Sequence, residues 1–66
     1  MEEKMLSTNL KKIREEKGYS KTQLGKICDL HRQTIRHIED GLQLPKMSTL
    51  EKISKALNVS IIDLLK

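Results

Sequence analysis

One cysteine in 66 residues, Cys28, rules out a disulfide within the chain. It fits a reducing, cytoplasmic setting. With two histidines six residues apart, His31 and His37, on different sides of any helix, the chain lacks a metal-ligand set, and no cofactor is expected. No apolar stretch approaches the roughly 18 residues that a membrane-spanning helix needs. The opening Met1-Glu2-Glu3-Lys4-Met5-Leu6 is acidic and soon polar, unlike a signal peptide. Nothing alternates with period two, so strands are not expected, and repeats and low-complexity tracts are absent. No Ser/His/Asp or paired-carboxylate spacing recurs, and the length forms no obvious small-molecule pocket; an enzyme is not expected.

What remains is helical spacing within one domain, residues 1–66. A core this small supplies about 3–5 kcal/mol without covalent staples. The pattern predicts five helices near 8–17, 21–28, 32–39, 48–57 and 61–65. The first starts near Ser7 or Thr8, with Leu6, Leu10, Ile13 and the Lys17 stem along one face, and Gly18 stops it. Ser20 and Gln23 form an S-x-x-Q capping box for the second, whose inward residues are Leu24, Ile27 and Cys28. Gly25 sits inside that helix at a propensity cost of roughly 1 kcal/mol against alanine, as close backbone approach by the next helix would require. Asp29 and Leu30 turn the chain, aspartate tolerating left-handed geometry. Gly41 ends the third helix, and Leu44 before Pro45 is extended. Ser48 with Glu51, and Ser60 with Asp63, read as two more boxes. Leu50, Ile53 and Leu57, with Ala56 beside them, form the inward face of the fourth helix, Asn58 caps it, and Ile61 and Leu64 face inward from the fifth.

The net charge is +4, and its placement is uneven. Residues 1–18 carry +1, residues 19–38 carry +3 and residues 39–66 are neutral. The basic excess therefore lies on the second and third helices. The third presents Arg32, Gln33, Arg36 and His37 on one side and Ile35 and Ile38 on the other. Arginine grips guanine O6 and N7, and glutamine grips adenine N6 and N7, so this helix is built to enter a DNA major groove. Lys21, Thr22 and Gln23 open the second helix, where amides and the positive dipole end favour a phosphate. Lys46 and Ser48 repeat that arrangement before the fourth. Such contacts position a protein without reading sequence.

These residues resemble the phage-repressor type of helix-turn-helix, the Cro/Xre-like DNA-binding family. The resemblance rests on Leu10-x-x-Ile13-Arg14, Gly18-Tyr19-Ser20, Leu24, the turn at Asp29-Leu30, Arg32-Gln33-Thr34-Ile35, Ile38-Glu39-x-Gly41, Pro45, Leu50, Ala56-Leu57-Asn58-Val59 and Leu64. Each piece is weak alone; order and spacing carry the likeness over roughly residues 10–65. It implies an all-α, compact five-helix bundle of the lambda-repressor type, with helices two and three as the helix-turn-helix. It also implies a bacterial or phage regulator that reads a two-fold operator in double-stranded DNA as a homodimer. By position it assigns base reading to Arg32, Gln33, Arg36 and His37, and a structural ion pair to Arg14 and Glu39. His31 stands where the family mostly caps the recognition helix with Ser or Thr, so that cap is expected to be weaker or differently made, with His31 reaching a phosphate. Lys21 replaces a frequent glutamine, keeping its phosphate role but weakening its bracing of a recognition side chain; Gly25 replaces an alanine and Asp29 the usual turn glycine, both sterically compatible.

Leu42, Leu44, Ile62 and Leu65 have no obvious place in the core, and the family usually carries polar groups at 42, 44 and 62. Clustered exposed apolar residues mark interfaces, so these four are expected to form the dimer seam. The alternative to a DNA-reading repressor is an antitoxin or other protein-binding module on the same fold. The chain ends at Lys66 directly after the fifth helix, which disfavours that alternative.

Overall fold

Serine opens two of the helices by one device. In the computed structural model, which describes the backbone of residues 3–66 and side chains from residue 5 onward, the elements are α1 (Glu3–Glu16), α2 (Lys21–Cys28), α3 (Arg32–Glu39), α4 (Met47–Leu57) and α5 (Ile61–Leu65). Ser20 Oγ accepts from Gln23 N at 3.0 Å while Gln23 Oε1 accepts from Ser20 N at 2.8 Å. Ser60 and Asp63 repeat the exchange at 3.1 and 3.3 Å. Each box satisfies amides that a helix start leaves without intrahelical partners.

α1 packs on α3 and α5, α2 packs on α3 and α4, and α4 packs on α5. Between them lie Leu6, Leu10, Leu24, Cys28, Ile35, Ile38, Leu50, Ile53, Leu57 and Leu64, all buried. Ile13, Tyr19, Leu30, Ala56, Val59, Ile61 and Leu65 close the edges. The described residues are all helix, turn and loop, with no strand, and none of their helices is long and apolar enough to cross a membrane.

Two helix boundaries and two faces differ from the sequence-based expectation. α1 begins at Glu3, not near Ser7 or Thr8, and ends at Glu16. Leu6 and Leu10, one turn apart, both enter the core, so the helix runs through Ser7, itself buried. Packing outweighs the preference of serine for a cap. Lys17 lies past the helix, exposed, and Arg14 is the long basic residue that turns inward. α4 begins at Met47, with Lys46 as a cap that makes no side-chain bond. The register that turns Leu50 inward starts the ladder at Lys46, whose carbonyl accepts from Leu50 N at 3.0 Å. Ser48 therefore falls inside the first turn, and the Ser48–Glu51 box does not form. Ile27 is 51% exposed instead of inward. In an eight-residue helix Leu24 and Cys28 complete the buried stripe, and Ile27 is left beside Lys52, Lys55 and Ala56 in a shallow groove between α2 and α4.

The expected turn chemistry is present. Asp29 and Asn58 adopt left-handed geometry at φ 60° and 58°. Gly41 follows α3 at φ 74°, where a side chain would be strained. A link that the sequence hides joins the two ends of the bundle: Asn9 Nδ2 donates to Leu64 O at 2.9 Å and to Lys66 O at 2.6 Å. It satisfies carbonyls that the end of α5 cannot bond internally.

Candidate nucleic-acid interface

The relation between α2 and α3 starts at Gly25. A Cβ at this position would lie 2.7 Å from Leu30 O and 3.3 Å from Arg32 N. Only glycine allows the turn to fold this tightly against α2. Leu30 N donates to Gly25 O at 2.7 Å, closing the corner. α3 then starts on a histidine cap: His31 Nδ1 accepts from Gln33 N at 3.1 Å. The family's hydroxyl is thus replaced by a ring nitrogen. Accepting at Nδ1 leaves the neutral ring's proton on Nε2.

Ile35 and Ile38 anchor α3 in the core. On its other side, Arg32, Gln33 and Arg36 stand exposed. With Lys21 and Thr22 from the start of α2, and with Asp40, they line one cleft. Three cations and two polar side chains thus converge, from two helices, opposite the apolar edge of α3. The other candidates lie apart. His37 is half-buried and outside the cleft, and Gln23 is engaged in the α2 capping box. His31 lines a second depression with Gly25, Lys26, Asp29 and Leu30. Lys46 and Ser48 are exposed at the start of α4.

The C-terminal end of α3 is held from behind. Arg14 Nε donates to Glu39 Oε2 at 2.6 Å and a terminal nitrogen donates to Glu39 Oε1 at 3.1 Å. The third arm of the fork donates to Tyr19 O at 2.8 Å. The two side chains are 8% and 2% exposed. The bond to Glu39 raises the pKa of Arg14 above its ordinary value, against the opposing effect of burial. A bidentate guanidinium-carboxylate pair fixes direction as well as distance, so the pair sets the angle at which α3 leaves the scaffold.

Leu42, Leu44 and Ile62 are 74%, 62% and 67% exposed. Leu65, grouped with them on sequence grounds, is half-buried and packs against the core. Met47 and Met5 are further exposed apolar residues that sequence reasoning passed over, because each reads as an ordinary helix residue. Asp40 was also missed; its spacing of four from Arg36 was the available signal. Cys28 is buried, and desolvation raises its thiol pKa, which suits packing over reactivity. Among the described residues, no three His, Cys, Asp or Glu side chains cluster as a metal site.

Comparison with known proteins gives this geometry a context. The chain is similar to the HTH-type transcriptional regulator SinR of Bacillus subtilis, at 37% identity over 62 residues, covering 92% of this chain and 56% of SinR. It is similar to Control protein C.BamHI of Bacillus amyloliquefaciens, at 48% identity over 46 residues, covering 70% of this chain and 57% of that protein. It therefore spans little more than half the length of these relatives. A crystal structure of the master regulator for biofilm formation SinR in complex with DNA superimposes with a TM-score of 0.88 at 35% identity, covering 92% of this chain and 98% of that one. The sequence profile described as Helix-turn-helix matches residues 10–64, and the chain belongs to this Cro/Xre-like helix-turn-helix family.

Proposed function

We propose that the chain is a sequence-specific DNA-binding transcriptional regulator, acting as a dimeric repressor on a two-fold operator. The observation that carries this reading is the convergence of Lys21, Thr22, Arg32, Gln33 and Arg36 in one cleft, on the side of α3 opposite Ile35 and Ile38. Regulators with similar sequences, one of them solved with DNA, support it. α3 enters the major groove, and Arg32, Gln33 and Arg36 read base edges through bidentate contacts. His37 serves the rim of the same helix. Lys21 and Thr22 hold a phosphate at the start of α2, with Gln23 adding its polar surface. Lys46 and Ser48 hold another at α4, whose first turn carries no side-chain cap. His31 offers Nε2–H to a third.

Leu42, Leu44 and Ile62 form the centre of the dimer seam, with Leu65 behind them. A dimer joined there sets two recognition helices about 34–36 Å apart, one turn of DNA. The protein acts in the bacterial cytoplasm by binding alone, without catalysis. The same exposed leucines and isoleucine favour one alternative, a partner-binding module such as an antitoxin; a second polypeptide that co-purifies and covers Leu44 and Ile62 would establish it.

In vitro selection from a random duplex library tests the main reading. A two-fold consensus with half-sites one helical turn apart is expected. A protein that enriches no sequence overturns it.

A further inference from the structure

The cleft of cations contains one acid. Asp40 caps the C-terminal end of α3, and its carboxylate lies 3.6 Å from Arg36 Nε. The Arg36 and Asp40 side chains are 65% and 46% exposed, so water and salt weaken the pair.

Helix stability gives no reason for a carboxylate here. The C-terminal end of a helix is the negative end of its dipole, where an acid is disfavoured. The order also runs the less favourable way, with the cation before the acid at four residues. The backbone cap, Asp40 N donating to Arg36 O at 2.9 Å, needs no charge. On a phosphate-binding face a carboxylate opposes every approaching phosphate. Asp40 therefore gives its helix little, through a weak exposed pair at the unfavourable end of the dipole, and opposes the affinity of its own surface.

Building on the DNA-binding reading above, we propose that Asp40 is a specificity-setting residue. Its carboxylate engages Arg36 in the free protein and opposes phosphate at that end of α3. Arg36 leaves Asp40 for a base edge, whose two acceptors replace the carboxylate. A phosphate can also grip Arg36 with two oxygens, but there it meets the negative charge of Asp40, which a neutral base edge does not. Indiscriminate binding is weakened more than binding at the proper site.

The test measures equilibrium binding across a salt series, using the duplex recovered by selection and a random-sequence duplex. The proteins are the wild type, Asp40→Asn, Arg36→Ala and the double variant. Asparagine keeps the shape and the backbone cap; Asp40→Ser serves as a second uncharged variant, and thermal unfolding confirms the fold of each. Asp40→Asn is expected to tighten random-duplex binding by about 3–10-fold and to steepen its logarithmic salt slope by up to about one. Binding to the selected duplex changes by less than about twofold, so the ratio falls. In the Arg36→Ala background most of the random-duplex gain disappears. Equal tightening on both duplexes, the same gain with and without Arg36, or no change each overturns the proposal and leaves the DNA-binding reading intact. A wild-type protein that selects no sequence and holds no duplex overturns both.

Discussion

Arg14 and Glu39 stand 25 residues apart and meet as a buried, bidentate pair, at 2.6 and 3.1 Å. Glu39→Gln keeps the shape and removes the charge, leaving a buried guanidinium with only the exposed Glu15 carboxylate, 3.9 Å away, as counter-ion. Removing one partner of such a pair costs roughly 3–5 kcal/mol. For a chain this small, each kcal/mol lowers the unfolding temperature by about 4–8 °C. The variant is expected to be largely unfolded at moderate temperature. Calorimetry or urea titration checks this; a wild-type midpoint would mean the pair contributes no net stability.

Gly25→Ala sets two effects against each other. Alanine favours helix by roughly 1 kcal/mol over glycine. Its Cβ would meet Leu30 O at 2.7 Å, a backbone atom that cannot swing aside, and overpacking costs about 1–3 kcal/mol. A net loss of about 1 kcal/mol is expected, although alanine is the family's usual residue here. Denaturant midpoints decide the sign. A more stable variant would show that the turn relaxes at little cost.

His31→Ala removes the bond from Gln33 N to the imidazole and should destabilise the protein by about 1 kcal/mol. His31→Ser restores a side-chain acceptor and should recover most of the loss. If alanine and serine unfold at one temperature, the ring nitrogen is not functioning as a cap.

Asp63 adds a pH dependence of its own in acid. Its hydrogen bonds with Ser60 hold its pKa below the usual aspartate value, helped by Lys66. A lowered folded-state pKa gives a stabilisation that is present above the unfolded-state value. It fades as pH falls from there through the lowered one. Asp63→Asn keeps an acceptor for Ser60 N and removes the titration. The difference in stability between the two proteins should be pH-independent near neutrality and shrink in acid. A constant difference down to the lowest accessible pH would contradict this assignment.

Leu44→Lys and Ile62→Lys place charge on residues that are already well exposed, so each variant should keep the fold. With the seam proposed above, sedimentation is expected to show a dimeric parent chain and monomeric variants. Variants as dimeric as the parent would move the seam to another surface.

The most local features were the most legible in the sequence. α3 runs from Arg32 to Glu39 as expected, because a histidine at the cap position and Gly41 bracket nine residues, eight of them with clear amphipathic spacing. The Ser20 and Ser60 boxes are four-residue signals and form as read. Ser7 gives the same local signal as a true cap, and only the burial of Leu6 shows that the helix runs through it. Ile27 fits an inward stripe on spacing alone; its exposure depends on where α4 ends up. The gathering of Lys21, Thr22, Arg32, Gln33 and Arg36 was foreseeable, since one turn joins their helices. Asp40 shows only as a spacing of four from Arg36, a weak signal at a helix end that otherwise disfavours an acid. Asn9 was hidden because its partners lie 55 and 57 residues away.

Those distant partners have a consequence for motion. A five-residue helix has no persistence of its own in water, and terminal turns ordinarily fray in fast local openings. α5 is held by Leu64 in the core and by Asn9 gripping the carbonyls of Leu64 and Lys66. Its release must break both Asn9 bonds and draw Leu64 out of the core, so α5 opens less readily than an unanchored turn. Amide exchange in α5 should quicken when Asn9 is replaced by alanine, while exchange in the middle of α1 changes less.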